Sequence, residues 1–156
     1  MKTLIFFASI LLFGQITQSD RYLIDLKNRT IAGIRVNDSI EQIRKKFGRA
    51  NVKRIIEEDE DQPAAAYVSS IEGYTFTKHS WGFSVDDSIF RTKEGLGVGS
   101  TVADFAKYYP NSKPSDREIE FITFISSDEE TQFMVNVGEE CHRMISGDCV
   151  IKEIYF

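Results

Sequence analysis

Thr30-Ile-Ala-Gly33-Ile34-Arg-Val36-Asn-Asp38-Ser39-Ile40 and Thr92-Lys-Glu-Gly95-Leu96-Gly-Val98-Gly-Ser100-Thr101-Val102 carry one phrase twice, 62 residues apart. The register continues past the phrase. Ile43 matches Phe105, Lys45 matches Lys107 and Phe47 matches Tyr109, after which Gly48 and Pro110 act as stops. Two copies of one supersecondary unit is the economical reading. Each glycine permits a tight turn at positive φ. Asp38 or Ser39 in the first copy, and Ser100 or Thr101 in the second, offer an oxygen to the free amides of a helix start. Ile40, Ile43 and Phe47, like Val102, Phe105 and Tyr109, then recur at i, i+3 and i+7 on one helical face. Arg44, Lys45 and Lys46 point outward. Helices of two to three turns do not stand alone in water, so each needs a sheet to lie on.

Outward from the two phrases the chain reads as strands. Tyr22 to Lys27 is one, and Tyr74 and Phe76 alternate with Thr75 and Thr77 in another. Trp81, Phe83 and Val85 form a third, with Ile119–Ile125, Gln132–Val137 and Val150–Phe156 following. Helix followed by hairpin-linked strands, twice over, predicts an α+β fold. Its two related helix-on-antiparallel-sheet units form one compact domain. The divisions are a signal peptide at 1–19, a first unit at 20–91 and a second at 92–156.

The stretches Gly33-Ile34-Arg35-Val36-Asn37-Asp38-Ser39-Ile40…Phe47-Gly48 and Gly95-Leu96-Gly97-Val98-Gly99-Ser100-Thr101-Val102…Tyr108-Tyr109-Pro110 resemble a tandem module of exported bacterial proteins of uncharacterised function. More distantly they are similar to the tandem-repeat β-lactamase inhibitor protein family and to the small outer-membrane assembly lipoproteins. There, a similar phrase starts a helix packed on an antiparallel sheet. The resemblance covers about 35 of the 156 residues, and it implies binding rather than catalysis.

Export is also written at the N-terminus. Lys2 precedes the apolar run Leu4–Phe13, broken only by Ser9, and Thr17-Gln18-Ser19 supplies small residues for cleavage. This is a secretory signal pattern, too short for a membrane span of ~20 apolar residues. The expectation is a secreted or periplasmic protein with no stable membrane insertion after cleavage. At 42% hydrophobic and 28% charged, the chain is neither disordered nor a repeat fibre. Its net charge of −5 disfavours nucleic acid and anionic lipid and favours a basic protein partner.

Cys141 and Cys149 bracket a short polar loop, and an even pair in an exported protein predicts a disulfide. A metal site at Cys141-His142 lacks the further ligands to complete a tetrahedron. Gly95-Leu-Gly97-Val-Gly99-Ser100 matches neither the dinucleotide fingerprint nor the P-loop, so its glycines read as a structural turn. His79 reads as an exposed strand residue on the face opposite Tyr74, Phe76 and Lys78, and Ser80 has no nucleophile elbow around it. The acidic run Glu57-Glu58-Asp59-Glu60-Asp61 lacks calcium-loop spacing and reads as a solvated loop or a contact patch.

The reading that follows is a non-enzymatic exported binding protein, of the inhibitor or immunity kind, acting on a basic protein partner without cofactor or metal. Its candidate contacts are Glu57, Glu58, Asp59, Glu60, Asp61, Trp81, His142 and Arg143. The alternative is a small-ligand carrier with an aromatic-lined groove, and behind it a hydrolase with a carboxylate pair that the sequence does not nominate.

Overall fold

Both helices begin at a hydroxyl residue that the pattern singled out. In the computed structural model, which describes residues 20–57, 64–114, 121–126, 131–138, 141 and 147–156, helix α1 spans Ile40–Phe47 and α2 spans Val102–Tyr108. Ser39 Oγ accepts from the Gln42 amide at 3.3 Å, and Gln42 Oε1 accepts from the Ser39 amide at 2.7 Å. Thr101 and Asp104 make the same reciprocal pair at 3.2 Å in both directions. These are capping boxes, each satisfying amides that the helix itself leaves free. The neighbouring candidates have other work. Asp38 accepts from the Arg35 amide and Ser100 from the Gly97 amide. Gly33 and Gly95 sit at φ +68° and +81°, where a side chain would be strained.

The helix faces are as the spacing predicts. Ile43 and Phe105 are fully buried, Val102 nearly so, and Ile40, Phe47 and Tyr109 pack partly buried against the same core.

Twelve strands are described: β1 (Leu23–Asp25), β2 (Thr30–Ile31), β3 (Ile34–Arg35), β4 (Val52–Glu57), β5 (Ala64–Ile71), β6 (Tyr74–Lys78), β7 (Phe83–Val85), β8 (Arg91–Thr92), β9 (Asn111–Pro114), β10 (Phe121–Ile125), β11 (Gln132–Asn136) and β12 (Glu153–Tyr155). Eight of them form one antiparallel sheet in the order β4-β5-β6-β7-β12-β11-β10-β9. In chain order α1 precedes β4 to β7, and α2 precedes β9 to β12. The short strands form a second sheet, β3-β2-β1-β8, tied to the first through Phe90, whose ring lies 5.7 Å from Phe76 and 5.8 Å from Tyr22.

The architecture is α+β, with departures from the expected antiparallel scheme. Strand β8 runs parallel to β1, a pairing of two-residue length whose direction no local pattern encodes. The sequence pattern predicts no strand at β4, β5 or β9; Ala64-Ala65-Ala66 is a weak strand former, yet burial of Ala66 and Ser69 holds it in the sheet. Trp81 lies not in a strand but in the turn between β6 and β7, closed by a 2.9 Å bond from the His79 amide to the Gly82 carbonyl. Strand β12 is shorter than Val150–Phe156, because Val150 leaves to bridge Thr101.

Cys141 and Cys149 are disulfide-bonded, with Cα atoms 5.8 Å apart. The arm of that loop braces α2: the Cys149 carbonyl accepts from the Val102 amide at 2.8 Å and the Gly147 carbonyl from Ala103 at 2.9 Å. No helix among the described residues is long and apolar enough to cross a membrane. The expected signal peptide lies outside the described residues.

Candidate functional site

Residues directly paired across an antiparallel sheet project from the same face, so the register assigns the described side chains of the sheet to its two faces. Val85, Ile154, Val135 and Ile122 form one row, and Phe124 with Phe133 another. These face the helices: Phe105 lies 5.5 Å from Phe124 and 5.7 Å from Phe133, and Phe47 lies 5.9 Å from Phe76. The opposite row runs Lys53, Val68, Thr77, Ser84, Tyr155, Met134 and Thr123 across seven strands. Neither α1 nor α2 packs on it.

At the middle of this open face the rings gather. Trp81 stacks on His79 with centroids 4.6 Å apart and planes within 9°, then lies 6.1 Å from Tyr155, which in turn meets Phe121 edge-on at 5.4 Å. Met134, cross-strand neighbour of Tyr155, is exposed, and Trp81 is 48% exposed. Tyr155 Oη donates to Glu153 at 2.6 Å, which fixes its ring. The Trp81 turn is held from behind. Arg29 donates to the Trp81 carbonyl at 2.6 Å, and a Cβ on Gly82 would run into the Phe156 carbonyl and the Arg29 guanidinium. The indole is therefore presented on a rigid support, with little side-chain entropy left to lose on burial. Beside it an open cleft of about 400 Å³ is lined by Leu26, Lys27, Arg29, Trp81, Met134 and Tyr155, among others.

His79 differs from its expected exposed state. It takes the predicted face but is only 8% exposed, covered by the indole, with Nε2 2.9 Å from Ser84 Oγ. A histidine beside a hydroxyl is the geometry of a nucleophile and its base. Here both groups are more than nine-tenths buried, and the Ser84 hydroxyl lies in the middle of a ladder with β6 on one side and β12 on the other. A reacting carbonyl has no approach to it, and the pair supports the indole.

The other expected contacts do not converge on this cluster. Glu57 ends β4 opposite Ala64, three strands from β7 and so about 14 Å away at ~4.8 Å per strand. Glu58, Asp59, Glu60 and Asp61 lie outside the described residues, as do His142 and Arg143. The sequence nominates neither Tyr155 nor Met134 to join Trp81. Their signal was the alternation parity of strands far apart in the chain, which acquires meaning only once the pairing is known. No family model matches this chain, and neither a curated protein nor a solved structure matches it.

Proposed function

We propose that the chain is a non-enzymatic exported binding protein whose open sheet face, centred on Trp81, docks against a protein partner. The observation that carries this reading is the cluster of Trp81, Tyr155, Phe121 and Met134 supported on buried His79, with Trp81 and Met134 exposed and neither described helix packed on that face. Large aromatic side chains on a preorganised support are the usual anchors of protein interfaces. The net charge of −5 favours a basic partner by long-range attraction, in keeping with an inhibitor or immunity role in the periplasm or outside the cell. The two halves are read as related copies of one module. This is supported by the twin capping boxes after a glycine turn, and by a strand order that runs β4 to β7 and then β12 back to β9. The resemblance to tandem-module inhibitor proteins fits that arrangement.

The test is capture from an envelope extract with wild-type bait and with Trp81→Ala and Met134→Arg baits of unchanged unfolding midpoint. The expected outcome is a saturable protein partner whose affinity falls about 30-fold or more for Trp81→Ala, the scale of an interface hot spot. A partner held equally by all three baits would remove the open face from the reading. A small molecule co-purifying in native mass spectrometry, and lost with Trp81→Ala, would favour a carrier using the adjoining cleft instead.

A further inference from the structure

A second cleft, of about 710 Å³, opens between α1, the 3-10 turn Asp20–Tyr22 and the β2–β3 and β5–β6 hairpin turns. It has the size of a small-molecule site and shares no described lining residue with the cleft beside Trp81. Each hairpin turns on two residues at positive φ, Ala32 (+50°) with Gly33 (+68°) and Glu72 (+54°) with Gly73 (+94°). Asn or Gly is the unstrained choice at the first of these positions. Ala32 and Glu72 are strained there, and both line the cleft, which is where such strain tends to gather. Glu72 accepts from the Tyr22 hydroxyl at 2.8 Å and pairs with Arg21, so it fastens the N-terminal turn in place as one wall.

Lys46 brings the charge that the cleft leaves available. Its Nζ lies over Gly33, where a Cβ would come within 2.7 Å of it, and 5.8 Å from the centre of the Phe47 ring. Among the described residues no carboxylate forms an ion pair with it. Burial lowers its proton affinity, and the more distant charge of Asp38 only partly opposes this. An ammonium stripped of some of its water and lacking a counter-ion gains more from an anionic ligand than a fully hydrated one. Arg21, by contrast, is already neutralised by Glu72. The charged lining groups, Asp20, Arg21, Lys46 and Glu72, balance, so the cleft suits a single negative charge at Lys46 rather than a polyanion. Phe47 and Ile71 add apolar wall beside it. We propose that this cleft binds a small organic monoanion, its carboxylate on Lys46 and its apolar body along Phe47 and Ile71. The inference does not depend on what the Trp81 face binds.

Amide-shift titrations of the isotope-labelled, disulfide-bonded protein with acetate, hexanoate and phenylbutyrate test it. Shifts at Gly33, Lys46 and Ile71 are expected to saturate together, with affinity rising along that series to a Kd below about 1 mM for phenylbutyrate. Phenylbutyramide, uncharged and of nearly the same shape, should bind about tenfold more weakly, and inorganic phosphate should give no saturable shift at these amides. Lys46→Met keeps the length of the side chain and is expected to weaken phenylbutyrate about tenfold while leaving the amide within about twofold. Lys45→Met, at the neighbouring exposed lysine, should leave both unchanged at an unfolding midpoint equal to that of wild type. No saturable shift with any of the three carboxylates would overturn the proposal. So would equal affinity for phenylbutyrate and its amide, phosphate bound as well as phenylbutyrate, or equal losses in Lys45→Met and Lys46→Met.

Discussion

The two helix starts obey one local rule and end in different surroundings. Ser39 with Gln42 and Thr101 with Asp104 make equivalent capping boxes. Yet the first turn of α2 donates two further bonds, to the carbonyls of Gly147 and Cys149, and the disulfide pins that arm. Among the described residues α1 receives no such brace. The apolar faces differ too. Phe105 is enclosed by Phe124, Phe133 and Tyr109, whereas its counterpart side of α1 buries Ile43 fully and leaves Phe47 at the margin against Phe76. Local chemistry sets where a helix begins; a segment some 45 residues further on sets how firmly it is held.

The widest gap should appear in the core. Phe105→Ala is expected to cost ~3–5 kcal/mol, and Phe47→Ala roughly 1–3 kcal/mol because Phe47 is only half-buried. Urea midpoints at constant slope measure both, and equal costs would mean the two helices are packed alike. Replacing Cys141 and Cys149 together by Ser comes next, at roughly 2–3 kcal/mol for so short a loop. Hydrogen exchange should then accelerate at Val102 and Ala103 while Ile43 keeps its protection; uniform acceleration would deny the brace its local role.

The smallest effect is acid sensitivity. A hydrogen bond from Lys107, followed by those from Thr101, holds the Asp104 carboxyl at about 2 against an ordinary 3.8. The folded value is the lower one, so this contribution is present above about pH 4 and is lost as pH falls towards 2. Gln42, at the same place in α1, does not titrate. The Asp104 amide shift should therefore move in acid with a midpoint near 2, and Asp104→Asn should abolish that step.

What could be read in advance follows the same division. Caps, glycine turns, helix faces and the disulfide all rest on residues near one another in the chain, and Ser39, Thr101, Ile43, Phe105 and the Cys141–Cys149 pair are where their chemistry requires. Strand β5 was missed because Ala64-Ala65-Ala66 has little strand preference of its own and is held by Phe76 and Val52 pairing on either side of Ser69. Strand β9 was missed because Pro114 argues against a strand except at an edge, which is where it lies. For the site, Trp81 is among the contacts the sequence nominates, read there as a strand residue. Its placement in a turn depends on Arg29 and on the Phe156 carbonyl behind Gly82, contacts that no spacing rule contains.

The strand last in chain order, β12, lies at the centre of the large sheet, hydrogen-bonded to β7 on one side and β11 on the other. During synthesis the earlier strands must wait, with β7 unpaired on one flank, until residues 153–155 leave the ribosome. Such distant pairing makes for slow maturation, and the waiting intermediate exposes apolar side chains and an unpaired strand edge that invite aggregation.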